Sequence, residues 1–301
     1  MRMSSLTMRE LSVSNIQQRQ LDLMQAQQQL GTGRRVLVPS DDPVAAARSL
    51  DVSQALGRTQ QFNENGGRAN SILALMETQL NGVMHGIQNL RELAVKAGNG
   101  GLSDANRKAL AAEVEARFRE MLNIANTRDA DGLYMFSGYQ GNVQPFNETA
   151  STTPVGTVAY AGDDGVRRIQ ISETREVQVS EAGNTVFGNL FATIKTLHDA
   201  LYNGVNSPGY QTNLDTALNN LKTTQDNLGI VFGGVGTREN EIDATVSTGQ
   251  DLALQYQTEH SKLVDIDYAK TISDYLQSNQ LLEVARTTYQ KTQGLSLFNY
   301  L

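Results

Sequence analysis

The chain has 301 residues, 25 basic against 32 acidic, a formal net charge of −7, no cysteine and only 6% aromatic residues. No basic block stands out, so nucleic-acid binding has no electrostatic support, and the missing cysteines exclude disulfides, thiolate catalysis and cysteine metal sites. No apolar run reaches the ~18 residues of a membrane span. Residues 1–5 lack the apolar core of a secretory signal, so export is expected to proceed without a cleaved signal peptide.

In residues 4–30 a thin apolar set (Leu6, Val13, Ile16, Leu23, Leu30) is crowded by glutamines such as Gln17, Gln18, Gln27 and Gln28. Such a helix buries little by itself, and is expected to order on finding partners. Gly31 or Gly33 supplies a left-handed C-cap. Residues 34–39 read as an extended connector, because Pro39 disfavours helix at Val38. Asp42 then caps a helix that has Pro43 at its first position, where a missing N–H costs nothing.

The following stretch organises the chain. Ala69, Leu73, Met76, Leu80, Val83, Ile87, Leu90, Ala94 and Ala97 recur at 4,3 spacing without a slip. This heptad seam can be hidden only against other long helices. Run backwards, the register finds Phe62, Ala55, Val52 and Ala45, and misses at Gly66, Thr59 and Arg48. A helix from Pro43 to Ala97 would be roughly 80 Å long at 1.5 Å per residue. Residues 98–101 stop it. Ser103 caps a second helix with the seam Ala111, Val114, Phe118, Met121, Ala125, which makes an antiparallel hairpin with the first.

From Leu133 the period changes. Thr157–Tyr160 and residues 166–171 flank Gly162-Asp163-Asp164-Gly165, which reads as a β-hairpin. Residues 176–179 make a further strand, so residues 137–186 form a small β domain. Helical period resumes with Phe187, Leu190, Ile194, Leu197 and Leu201. A second heptad run follows: Leu214, Leu218, Leu221, Leu228, Phe232, Val235, Ile242 and Val246, broken only at Gln225 and Glu239. Weaker periodicity continues through Leu263, Ile266, Ile272, Leu276 and Leu282.

The expected fold is mainly α with a small β insertion: a long antiparallel helical rod with paired N- and C-terminal helices. Three parts are expected: a terminal assembly domain (1–38 and 260–301), a helical rod (39–136 and 187–259) and the β domain (137–186). The expected assembly interface is Leu6, Val13, Ile16, Leu23, Leu30, Leu263, Ile266, Ile272, Leu276 and Leu282.

Catalytic motifs are absent, and no metal or cofactor site is expected. His85, His198 and His260 have no ligand partners at metal spacing; His85 reads as solvated and His260 as a core-edge residue. Asp41-Asp42 reads as capping rather than as a catalytic pair. Asp265 and Asp267 read as a solvated helix face. Asp163-Asp164-Gly165 lacks the distal Glu of a calcium loop. Residues 229–236 are glycine-rich but have no Lys-Ser or Lys-Thr, so they are no P-loop; they read as a close helix approach or a local weak point.

Four segments carry a family resemblance. Gly33-Arg34-Arg35-Val36 with Pro39-Ser40-Asp41-Asp42-Pro43 resembles the N-terminal segment of flagellins and hook-associated proteins. Residues 90–97 with Asn99-Gly100 resemble the flagellin-type end of the long helix. Residues 235–240 and Asp265-Ile266-Asp267-Tyr268-Ala269 resemble the C-terminal signatures. Pro-Ser-Asp-Asp-Pro, Tyr160-Ala161-Gly162-Asp163 and the ending Gly-Leu-Ser-Leu-Phe-Asn-Tyr-Leu favour the hook–filament junction branch. The resemblance implies an extracellular structural subunit of the bacterial flagellum, exported through the type III channel. It further implies a homo-oligomeric ring, with terminal helices lining the axial tube. Implied partners are the first hook-associated protein on the hook side, flagellin on the filament side and an export chaperone on the C-terminal part. Alternatives are a short flagellin that forms the filament itself, or a non-flagellar coiled-coil assembly protein such as a cytoplasmic adaptor or needle component.

Overall fold

The computed structural model describes residues 5–205 and 208–294. It divides into two compact units, residues 1–58 with 251–301 and residues 59–250. The strands lie within the second unit.

The long helices are the expected ones. We label the elements α1 (Ser5–Thr32), α2 (Pro43–Ala97), α3 (Asp104–Ala125), β1 (Phe146–Thr149), β2 (Thr157–Tyr160), β3 (Arg168–Gln170), β4 (Glu176–Gln178), α4 (Gly183–Phe187), α5 (Leu190–Asn203), α6 (Tyr210–Val264) and α7 (Tyr268–Gly294). Gly33, not Gly31, takes the left-handed backbone after α1, with φ +71°. Ser103 caps α3 by accepting the Asn106 amide at 3.2 Å.

In the second unit every seam residue of α2 from Ala69 to Ala97 is buried, as are the seam residues of α3. On α6, Leu214, Leu221, Leu228, Val235 and Ile242 are buried, and Leu218, Phe232 and Val246 pack against them. Polar bonds set the α2–α6 register as antiparallel: Tyr210 donates to the Ala97 carbonyl (2.8 Å), Arg91 to Gln225 Oε1 (2.7 Å) and Asn70 to Asp243 (2.5 Å). Gln225, a break in the apolar pattern, is thus answered by Arg91 across the seam.

Two of the three seam misses are members of the seam. Gly66 and Thr59 are buried, whereas Arg48 is exposed. Gly66 faces Val246, and a Cβ there would overlap Val246 Cγ2. Close approach recurs at the α2–α3 contact, where a Cβ on Gly82 would lie 3.0 Å from Ile124 Cδ1 and one on Gly86 would overlap Met121. The glycines expected to allow such approach lie elsewhere: Gly229, Gly233 and Gly236 have open space beside them, and α6 runs through unbroken.

The expected hairpin across residues 161–165 does not form. β2 pairs antiparallel with β1, and β3 with β4. The turn that would have joined β2 to β3 is committed elsewhere. Asp163 Oδ1 accepts the amides of Tyr139 (2.9 Å) and Gly165 (2.7 Å), and Tyr160 donates its hydroxyl to the Asp163 carbonyl (2.7 Å). An Asp that captures amides from a distant segment competes with a local turn.

The small sheets are tied to the helices by aromatic packing. Phe187 meets Phe136, Phe146 and Phe191 at centroid separations of 5.2, 5.0 and 5.7 Å, and Phe191 meets Phe118 of α3 at 5.9 Å. Such contacts add about 0.5–1.5 kcal/mol each beyond area burial. His198 is buried against Tyr202 and shares a 3.1 Å hydrogen bond between its Nδ1 and Asp199; His85 is exposed and His260 half-buried.

Candidate assembly interface

The first unit pairs α1 with α7, and its two connectors are clasped together. Ile266 donates its amide to the Gly33 carbonyl at 3.1 Å, and Arg35 returns one to Val264 at 2.6 Å. The Arg35 guanidinium reaches both the Leu263 carbonyl (2.8 Å) and Asp42 Oδ2 (3.0 Å). Asp42 also accepts the Ala45 amide at 3.0 Å, and Pro43 opens α2. Its carboxyl is held below the ordinary range, first by the Ala45 amide and then by Arg35.

Asp265 and Asp267 do not lie on a helix face. They occupy the connector between α6 and α7, where Asp265 accepts the Ser261 hydroxyl. Asp267 caps α7 by accepting the Lys270 amide at 3.1 Å. This break ends α6 and the periodicity it carries.

Nine of the ten expected interface residues have described side chains, and these fall into two groups. Ile266 and Leu282 are buried within the unit, and Ile16, Leu23, Leu30 and Leu263 are half-buried. Leu23, Ala26 and Leu30 share one side of α1, and Ala26 is buried there. By contrast Val13 (37% exposed), Ile272 (47%) and Leu276 (55%) face outward. The Leu6 side chain lies outside the described residues.

On α7 the covered side runs Thr271, Tyr275, Ser278, Leu282, Ala285, Tyr289, all buried or half-buried. Its spacing is an unbroken 4,3 alternation, written in hydroxyls and small residues. A search for aliphatic residues alone passes over it; the spacing itself was the available signal.

The apolar residues left outside this packing are Leu11, Val13, Leu21 and Met24 on α1, and Ile272, Leu276, Leu281 and Val284 on α7. Each helix therefore keeps several apolar residues outside its contact with the other. Among the described residues no group of three or more His, Asp or Glu is placed to hold a metal ion, and no helix is long and apolar enough to cross a membrane.

Comparison with known proteins agrees with the paired-helix architecture. Residues 3–141 match the family model of the bacterial flagellin N-terminal helical region. The chain is 31% identical over 320 residues to flagellar hook-associated protein 3 of Escherichia coli K12, an alignment that covers 99% of both chains. A Salmonella phase 1 flagellin is 28% identical over 127 residues, covering 42% of this chain and 25% of the flagellin. Among solved structures, a hook-associated protein of Vibrio parahaemolyticus matches with a TM-score of 0.68 at 20% identity, covering 75% of this chain and 100% of that one. Sequence similarity along the whole length, on the fold those structures share, decides the matter: the chain belongs to the family of flagellar hook-associated protein 3.

Proposed function

We propose that the chain is a structural subunit of the bacterial flagellum, built into the junction between hook and filament through its terminal helices. The observation that carries this reading is the end-to-end similarity to hook-associated protein 3. The flagellin match, by contrast, stops at a quarter of the flagellin's length, so a filament-forming role is the weaker reading.

The apolar residues that α1 and α7 leave exposed support assembly by those helices. Ordering a residue costs about 1–2 kcal/mol of conformational entropy. Two helices that cover only one side of each other offset part of that cost, and neighbouring subunits that cover Val13, Ile272 and Leu276 offset more. Subunits then join most stably where neighbours are already in place. In this reading the neighbours are copies in a ring, the first hook-associated protein on one side and flagellin on the other. An export chaperone would cover the C-terminal helix before assembly. The role needs no catalysis and no cofactor, and the site of action is outside the cell, on the flagellum.

The test is a chain lacking residues 1–35 and 260–301. It should keep the cooperative unfolding of the 59–250 unit and fail to restore motility to a strain without this subunit. Restored motility would overturn the proposal, and purified full-length chain that grows long filaments unaided would favour the flagellin reading instead.

A further inference from the structure

The chain holds four Asn-Gly pairs, at residues 65–66, 81–82, 99–100 and 203–204. An Asn followed by Gly is the sequence most open to succinimide chemistry, because glycine leaves its backbone nitrogen sterically free. Folded structure decides which pair can react.

Three pairs are held back. Asn65-Gly66 and Asn81-Gly82 lie inside α2, where each glycine nitrogen belongs to the helical ladder. The Asn65 side chain is further engaged, donating to the Gln170 carbonyl at 2.9 Å. In the fourth pair the Gly204 amide donates to the Ala200 carbonyl at 3.1 Å.

Asn99-Gly100 differs on every count. It lies in the connector between α2 and α3, and both residues are exposed. Nothing stands within 4 Å of where a Gly100 Cβ would be. Among the described residues the Gly100 amide makes no hydrogen bond, although Gly101 donates to Asn99 Oδ1 at 3.2 Å. That bond closes an Asx-type turn. The donated hydrogen bond polarises Asn99 Cγ, the carbon that the Gly100 nitrogen must attack.

We propose that Asn99 is a site of spontaneous deamidation and isomerisation in the folded protein. The Gly100 nitrogen loses its proton to hydroxide or buffer base and bonds to Asn99 Cγ. The bond from Cγ to the side-chain nitrogen breaks, and that nitrogen leaves as ammonia. Water then opens the five-membered ring at either carbonyl, giving aspartate or isoaspartate. One water is consumed and one ammonia released, and no oxidant or enzyme is needed. The product adds a negative charge two residues after α2. In the isoaspartate form it also displaces the Asn99 carbonyl, which accepts the Leu102 amide at 3.2 Å.

The test ages the intact full-length chain in mildly alkaline buffer. Peptide mass spectrometry and isoaspartyl methyltransferase labelling then follow all four pairs, with synthetic peptides of the same four sequences as unfolded references. Asn99 should convert at close to its peptide's rate, while Asn65, Asn81 and Asn203 lag far behind theirs. Gly100→Ala should slow the conversion at Asn99 strongly and leave the other three unchanged. Protection of Asn99 equal to that of the helical pairs, or faster conversion at any of the other three, would overturn the proposal.

Discussion

Gly66 of α2 and Val246 of α6 meet where the two helices have no room for one more carbon: a Cβ on Gly66 would overlap Val246 Cγ2. Its neighbour Gly67 has open space around it in the same helix. Gly66→Ala should therefore lower stability by about 1–2 kcal/mol, overpacking outweighing the gain in helix propensity. Gly67→Ala should raise it by about 0.5–1 kcal/mol. Thermal unfolding of the pair checks both signs in one experiment.

Phe187 sits at the centre of the aromatic packing and is fully buried. Phe187→Ala leaves a cavity that Phe136, Phe146 and Phe191 cannot all fill, and should cost about 3–5 kcal/mol. Urea unfolding should show a lower midpoint, while a folded α1–α7 pair still gives its helical signal.

Asp42 links pH to the connector clasp. Its carboxyl is depressed in the folded chain by the Ala45 amide and Arg35. A depressed acid contributes stability above the ordinary carboxylate range and loses it as pH falls through the folded value. Asp42→Asn keeps a good capping side chain but gives up the charge. Its melting temperature should lie below the parent's at neutral pH and converge with it in acid.

Glu239 has the opposite sign. Burial raises it first, and Glu77 and Asp243 raise it further. Its charged form is disfavoured in the folded state, so acid relieves the strain. Glu239→Gln should stabilise the chain at neutral pH by less than about 1 kcal/mol, because solvent screens the pair. The gain should vanish as pH falls through the folded value of Glu239, as a series of melts across pH would show.

Ile272 and Leu276 face outward on α7, whereas Leu282 is 5% exposed. Replacing both Ile272 and Leu276 by Ser should change the stability of the isolated chain by no more than about 0.5 kcal/mol, yet abolish junction assembly in a motility assay. Leu282→Ala should instead destabilise the α1–α7 pair by about 2–3 kcal/mol. Amide hydrogen exchange on α7 separates the two effects.

The residues of this chain, read in order, already determined the long helices and most of what they bury. A 4,3 apolar alternation has one stable solution, so the α2, α3 and α6 seams and the Ser103 cap were legible from spacing. The family signatures were legible too: three of the four lie at helix ends and connectors, where particular residues are required, and residues 235–240 lie within α6. Tertiary structure alone decided three other things. Strand pairing did not follow the nearest turn, because Asp163 bonds to Tyr139, far away in sequence. Gly66 joined a seam that apolar scoring denied it, because Val246 supplies the missing bulk from the opposite helix, and Thr59 is buried in the same register. The division of the terminal apolar residues into inward and outward sets depends on how α1 and α7 rotate against each other. That rotation is set by a seam of threonine, tyrosine, serine and alanine, whose burial depends on a partner helix and not on their own polarity.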